Sequence, residues 1–160
     1  MTLATTPPEI YRALIEATAY GTRTIIDAFE AGGITVDRVV TCGGLPERNR
    51  LVMQIYADVT GRTLRVAAST QTPALGSAMF GAVAAGAASG GYATIKQAAA
   101  KMAHLRDVVY EPIEANKSVY DLLYGEYVRL HDLFGRGGDP AMKTLKRIRV
   151  AAKEAAAGRD

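Results

Sequence analysis

Two adjacent glycines, Gly43 and Gly44, are the residues whose type and position best suit ligand chemistry. They follow a short β-rich run, residues 38–42, and precede a segment with helical periodicity. In open α/β sheets, ligands bind beyond the carboxyl ends of strands, where glycine lets them approach the backbone and a following helix N-terminus attracts anions. Residues 41–49, TCGGLPERN, therefore suit a nucleotide phosphate. This segment is neither a P-loop nor GxGxxG, and a plain turn is the alternative.

No complete catalytic or metal-binding constellation accompanies these glycines. The carboxylates are scattered, and His104 and His131 have no partner at a recognisable spacing. No serine lies in a nucleophile-elbow context. The single cysteine, Cys42, ends a predicted buried strand and is expected to be an inert core thiol. We therefore expect no catalytic residue and no metal site in this chain.

The composition indicates one globular domain. Of 160 residues, 49% are hydrophobic and 22% charged, which excludes a disordered chain. The net charge is +3, and a basic cluster lies near the C-terminus: Lys143, Lys146, Arg147, Arg149, Lys153 and Arg159. No aromatic residues interleave with these charges, so a solvated helix face is favoured over a nucleic-acid partner. Without a long apolar run or a secretory signal, we expect no membrane association and a cytoplasmic location.

The elements that must position the glycines begin with a helix from about Pro7 to Ala31. Thr6 can cap it, and Glu9 stands three residues later, as a capping box requires. Apolar and small residues at spacings of three and four predict its buried face: Ile10, Leu14, Ala17, Gly21, Thr24 or Ile25, and Ala28. Two strands, 38–42 and 63–67, flank a helix over 46–60, which predicts a right-handed parallel βαβ unit.

The rest of the chain is predicted to be mainly helical. A helix over 74–85 is rich in small residues, which favours close packing on the sheet over direct ligand contact. Further helices are predicted over 92–102, over 114–134 and after Pro140, with an extended segment at 108–112. Residues 1–154 thus form one incomplete domain, and residues 155–160 are expected to be a frayed tail.

About six helices and two parallel strands are an unbalanced set. Parallel sheets are normally covered on both faces and contain more strands. The first strand would keep an unpaired edge. The chain is therefore expected to supply only part of a larger sheet, and the isolated polypeptide to pair that edge with another copy or to be poorly stable.

Several segments resemble the FGGY carbohydrate kinases. Residues 43–61, GGLPERNRLVMQIYADVTG, are similar to the nucleotide-side motif of that family, and residues 72–86, TPALGSAMFGAVAAG, to the helix that follows it. Within the family the chain is most similar to the ribulokinase branch. That similarity lies in YRALIEATAYGTR (11–23), GGY (90–92), LHDLFG (130–135) and MKTLK (142–146).

The resemblance implies an α/β fold: part of an actin-like, ribonuclease H-like C-terminal domain, whose two strands would be the last two of a five-stranded sheet. It also implies a missing N-terminal kinase domain that carries the sugar pocket and the catalytic aspartate. The Gly43 and Gly44 backbone would lie against ATP phosphates or ribose, and Asn49 near the adenine. Leu45, Glu47 and Arg48 would line the same pocket. Gly76 would keep its helix close to the sheet.

The implied parent enzyme is an ATP-dependent kinase that uses Mg²⁺ to convert L-ribulose to L-ribulose 5-phosphate in L-arabinose catabolism. The chain alone is expected to be inactive and to hold neither ATP nor Mg²⁺ tightly. Two alternatives stay open: another kinase of the family, such as one acting on xylulose, and a non-catalytic nucleotide-binding or oligomerisation module.

Overall fold

The computed structural model describes residues 2–157, except for the side chain of Glu47. These residues divide into two compact units, Met1–Ser118 and Val119–Asp160. The described part has seven α-helices, a short 3₁₀ helix and three strands. In chain order they are α1 (Pro7–Ala31), β1 (Val39–Thr41), α2 (Leu45–Arg48), α3 (Arg50–Thr60), β2 (Leu64–Ala67), α4 (Thr72–Ala85), the 3₁₀ helix (Ala87–Ser89), α5 (Ile95–Met102), β3 (Leu105–Tyr110), α6 (Glu114–Gly135) and α7 (Ala141–Ala157).

The first unit contains the sheet, in the order β1–β2–β3. β1 and β2 are parallel, as predicted, with Val39 opposite Leu64. β3 is a third strand, antiparallel to β2, with Tyr110 opposite Leu64. The sheet therefore has one strand more than predicted, because the segment expected only to be extended pairs with β2, a partner about 40 residues earlier in the sequence.

The core lies between α3 and this sheet. Met53 and Ala57 of α3 pack against Leu64 and Val66 of β2 and Tyr110 of β3. β-branched and aromatic residues suit this half-buried pleated surface. The core thus holds β1 and β2 in register beneath α3, and this arrangement positions the turn that follows β1.

α1 begins where the capping residues predict and packs against α3. The Glu9 carboxylate accepts hydrogen bonds from the backbone N–H and the hydroxyl of Thr6, at 2.7 and 2.8 Å. The buried face differs from the predicted one: Ala19 and Ile26 are buried, whereas Leu14 and Ile25 are 62% and 61% exposed. The predicted stripe is present, but the described chain does not cover it.

The second unit contains the C-terminal part of α6 and the whole of α7. On α6, the Tyr127 ring stacks between Tyr124 and His131, with centroid separations of 6.1 and 6.2 Å. The Asp139 carboxylate accepts a hydrogen bond from the backbone N–H of Ala141, the first residue of α7. α7 continues through Ala157, so residues 155–157 of the expected frayed tail are helical, and residues 158–160 lie outside the described part.

Candidate functional site

The glycine turn lies at the carboxyl end of β1. Gly43 has a φ of +91°, a conformation that side chains of L-residues rarely adopt. Gly44 has ordinary helical angles, φ −76° and ψ −21°. A Cβ atom added at either position would meet no atom within 4 Å. No atom of the described residues therefore crowds the backbone of this turn on the side where a Cβ would project.

The helix predicted over 46–60 is interrupted at Asn49. α2 is only four residues long, and α3 starts afresh at Arg50. Asn49 has an extended backbone, and its side chain accepts a hydrogen bond from Val52 N at 3.1 Å, so it is the N-cap of α3. This contact identifies the acceptor atom as Oδ1. The Nδ2 group has no hydrogen-bond partner among the described residues and is available as a donor.

The remaining predicted site residues follow this turn in the sequence. Leu45 and Arg48 are exposed on α2, and the side chain of Glu47 lies outside the described residues. Arg48 and the exposed Arg50 are the sequence neighbours of Asn49, and both carry a positive charge. Guanidinium groups suit phosphate oxygens in both charge and geometry. The predicted site residues all lie within one continuous segment of the chain, from Gly43 to Asn49.

A cavity of about 230 Å³ lies next to the turn, with mainly apolar walls. It is lined by Thr41, Cys42, Leu45, Pro46, Val52, Met53 and Tyr56. Cys42 is exposed, so the prediction that this thiol is buried in the core is wrong. β1 ends at Thr41, and Cys42 already belongs to the turn. Sequence reasoning missed Val52, Met53 and Tyr56, although their spacing on α3 could have indicated a shared face.

The predicted role of Gly76 is also wrong. A Cβ atom at this position would meet nothing within 4 Å, so no close approach of helix and sheet requires the glycine. α4 packs mainly against α5, and only Met79 of α4 is buried. The space between α4 and the sheet is a second cavity of about 400 Å³. It is lined by Val40, Ala67, Ser69, Thr72, Leu75, Gly76, Met79, Ala103, His104 and Leu105.

Asp58 is the only buried charged residue among the described side chains, and no sequence prediction singled it out. Its carboxylate accepts three hydrogen bonds of 2.8 Å, from Gln54 Nε2, the backbone N–H of Ile113 and Asn116 Nδ2. Three donors offset the cost of burying a carboxylate. Asp58 thereby joins α3 to the segment that leads from β3 into α6.

Residues 1–85, which include the glycine turn, match the model of the FGGY family of carbohydrate kinases, C-terminal domain. The chain belongs to the FGGY family. This membership confirms the resemblance and identifies the glycine turn as part of a carbohydrate-kinase domain.

Curated relatives of this FGGY chain include the proteins named ribulokinase from Geobacillus thermodenitrificans and Anoxybacillus flavithermus. They are 55% and 57% identical over 96% and 95% of this chain. The chain spans 27% of the length of each of them. A solved xylulose kinase from Rhodospirillum rubrum superposes with a TM-score of 0.68 at 27% identity. That match covers 82% of this chain and 25% of the xylulose kinase. The predicted fold class is confirmed.

Metal ligands do not gather in the described part of this FGGY chain. Across residues 2–157, no group of three or more His, Cys, Asp and Glu side chains could hold a metal ion. Within the same range, no helix is long and apolar enough to span a membrane.

Proposed function

We propose that this chain is the nucleotide-side part of an ATP-dependent L-ribulokinase, which converts L-ribulose to L-ribulose 5-phosphate in L-arabinose catabolism. The observation that carries the proposal is the open Gly43–Gly44 backbone at the carboxyl end of β1, in a chain of the FGGY family. The relatives named ribulokinase, at 55–57% identity, favour ribulose over other sugars.

In this proposal the nucleotide lies across the glycine turn. The Gly43 and Gly44 backbone faces the phosphates or the ribose, and Arg48 contributes positive charge. Asn49 donates from Nδ2 to the adenine, while Oδ1 stays bound to Val52 N. Leu45 forms an apolar wall, and Glu47 lines the same pocket. Open backbone, a cation and an oriented amide donor are the groups that nucleotide recognition uses.

Transfer of the γ-phosphoryl group also needs a group that accepts the proton of the sugar hydroxyl. Asp58 cannot act as this group, because it is buried and holds three hydrogen bonds. In this proposal the base and the sugar pocket belong to the N-terminal domain of a longer polypeptide. We expect the chain alone to have no kinase activity. A coupled assay with ATP and L-ribulose tests this, and turnover by the purified chain would overturn it.

Activity is best tested in a longer protein. We suggest a hybrid protein, in which this chain replaces the matching region of the Geobacillus thermodenitrificans ribulokinase. We expect the hybrid to phosphorylate L-ribulose, with Gly44→Ala raising the KM for ATP and leaving the KM for L-ribulose unchanged. A Gly44→Ala hybrid with an unchanged KM for ATP would contradict the nucleotide role of the turn.

Cys42 provides a direct probe of nucleotide binding, because it is the only cysteine of the chain, is exposed and adjoins Gly43. A thiol reagent such as DTNB should modify it in the folded protein. We expect saturating ATP to slow this reaction several-fold in a hybrid whose other cysteines have been removed. Equal rates with and without ATP would place the nucleotide elsewhere.

The superposition on a solved xylulose kinase supports a second candidate, a kinase for another sugar. A panel of L-ribulose, D-xylulose and related ketoses, tested on the natural full-length protein, decides between the two. A non-catalytic nucleotide-binding module predicts ATP binding without turnover in that protein. Self-association through the free edge of β1 stays a prediction, which sedimentation of the isolated chain tests.

A further inference from the structure

α7 has no buried residue, although one of its sides is apolar. Met142, Leu145 and Ile148 are 56%, 59% and 60% exposed. At about 100° per residue, these three side chains share one side of the helix with Ala152 and form an apolar row. A helix with one apolar side and one charged side normally packs against another element through the apolar side. Within the described chain, α7 therefore lacks the packing partner that its sequence pattern indicates.

A cationic row, which consists of Lys146, Arg149 and Lys153, borders the apolar row. Its members fall within an arc of about 60° beside Met142 and span about 10 Å along the helix axis. Five cations and one carboxylate give α7 a net charge of +4, whereas the whole chain has a net charge of +3. None of the five cations forms an ion pair among residues 2–157. A surface that complements α7 must therefore be both apolar and acidic.

The turn between α6 and α7 is closely packed. The backbone N–H of Asp139 donates a hydrogen bond to the carbonyl oxygen of Leu133 at 2.7 Å. Gly138 lies so near the end of α6 that an added Cβ atom would be 3.0 Å from the Cα atom of Leu133. α7 does not pack along α6 after this turn. The apolar row is thus left uncovered by a turn with specific contacts and not by a loose connection.

The α7 segment lies outside the matched FGGY domain but inside the match to a ribulokinase. The family model ends at residue 85. The match to the Geobacillus thermodenitrificans protein covers 154 of the 160 residues and leaves out six, so it includes most of the 17 residues of α7. This chain spans only 27% of that relative, so most of the relative's polypeptide lies outside the match. That polypeptide is a source for the surface that α7 lacks.

We propose that α7 is a docking helix, which lies in an acidic apolar groove on the kinase polypeptide outside this chain. Met142, Leu145 and Ile148 would fill the groove, and the cationic row would face carboxylates along one of its walls. Apolar anchors at helical spacing are the chemistry of recognition between a helix and a groove. The contact needs the longer polypeptide of the proposed function, but it does not involve the nucleotide turn.

Other occupants fit α7 less well. Two copies of this chain that paired through α7 would bring together two helices of net charge +4, which repel each other. Helices that lie on membrane surfaces carry bulky apolar residues such as Trp, Phe and Leu, and α7 has no aromatic residue. Nucleic acids bind cations through their phosphates and do not need an apolar row. A groove on a protein uses both rows of α7.

Hydrogen exchange at the backbone amides of residues 145–153 tests this inference, because docking slows the local opening of a helix. We expect these amides to exchange at least about tenfold more slowly in the hybrid than in the isolated chain, where α7 is uncovered. About 1 M salt should reduce this difference, because it screens the cationic row. Equal rates in the hybrid and the chain would overturn the proposal, as would slow exchange in the isolated chain that depends on its concentration. If the hybrid misfolds, the aligned residues of the natural Geobacillus thermodenitrificans ribulokinase replace it in the comparison, with the same outcomes.

Two pairs of variants test the apolar row and the cationic row separately. Leu145→Glu places a carboxylate in the apolar row, and its control Val150→Glu places one on the far side of α7. Arg149→Glu reverses a charge in the cationic row, and its control Arg147→Glu reverses a charge outside it. We expect Leu145→Glu and Arg149→Glu to remove most of the slowing of exchange in the hybrid, and both controls to keep it. Equal effects of a variant and its control would show that the row makes no specific contact.

The results for docking are separable from those for the proposed function. A hybrid that phosphorylates L-ribulose while its α7 amides exchange as in the isolated chain would refute docking and leave the kinase role intact. A hybrid with slowly exchanging α7 amides and an unchanged KM for ATP in Gly44→Ala would support docking and contradict the nucleotide role of the turn.

Discussion

Asn49 has two proposed tasks on different atoms, so substitutions can separate them. Oδ1 caps α3 through Val52 N at 3.1 Å, and Nδ2 is proposed to donate to the adenine. Asn49→Ala removes both groups. Asn49→Ser keeps a capping oxygen without the amide donor, and Asn49→Asp keeps the cap but adds a negative charge near the proposed phosphates.

Loss of an N-cap costs about 1 kcal/mol. For a domain of this size, that loss lowers the Tm by about 2–4 °C. We therefore expect Asn49→Ala to melt about 2–4 °C below the wild-type chain. Ser and Asp are as effective N-caps as Asn, so both of these variants should melt within about 1 °C of the wild type.

A neutral hydrogen bond contributes about 0.5–1.5 kcal/mol, which corresponds to about a two- to thirteenfold change in affinity. All three variants of the hybrid should therefore raise the KM for ATP by at least about twofold. Asn49→Asp should have the largest effect, because its carboxylate repels the phosphates.

Circular dichroism melting of the chain and steady-state kinetics of the hybrid measure the two effects. A normal KM for ATP in Asn49→Ser would refute the adenine contact. An unchanged Tm in Asn49→Ala would refute the capping role. The two results are independent, so one task can be lost without the other.

The other predictions concern the glycine turn, the buried carboxylate and the start of α1. Gly43→Ala should cost about 1–2 kcal/mol in urea unfolding, because its φ is +91°, whereas Gly44→Ala should be neutral; equal costs would contradict the turn geometry. Asp58→Ala should lower the free energy of unfolding by about 3 kcal/mol, because it leaves three donors unpaired. Asp58→Asn should lower it less, because the amide oxygen still accepts a hydrogen bond. An unchanged free energy of unfolding in Asp58→Ala would refute the structural role of these hydrogen bonds. Hydrogen bonds from the Thr6 backbone N–H and then its hydroxyl lower the pKa of Glu9. The contribution of Glu9 to folding stability is therefore present above the unfolded-state pKa of Glu9, and it is lost as the pH falls through the folded-state pKa. Exchange of the Thr6 amide should accordingly lose protection on acidification in the wild type, and an identical pH profile in Glu9→Gln would rule this out.

Local signals predicted local structure well. Thr6, Pro7 and Glu9 placed the start of α1, because capping depends only on residues within one turn. β3 was not counted as a strand, because its pairing with β2 depends on residues far apart in the sequence. Asn49 was assigned to a continuous helix, although asparagine is a frequent N-cap and the cap interrupts it there.

The sequence indicated which consecutive residues form the candidate site, but it did not predict the cavity beside them. The openness of Gly43 and Gly44 followed from their position after a strand. The cavity beside them depends on which face α3 turns toward the strand end, and neighbouring elements decide that orientation. The same reason explains Cys42 and Gly76: both were expected in close packing, and both line open space.

The hydrogen bonds of Asp58 set a lower limit on the length of any fragment of this protein that can be expressed alone. A truncation after residue 85, where the family match stops, keeps Asp58 but discards Ile113, Asn116 and Tyr110. The carboxylate would then lose two of its three donors, and the core its third strand. The smallest autonomous fragment is therefore expected to continue past Asn116, 31 residues beyond the last residue that the family model matches.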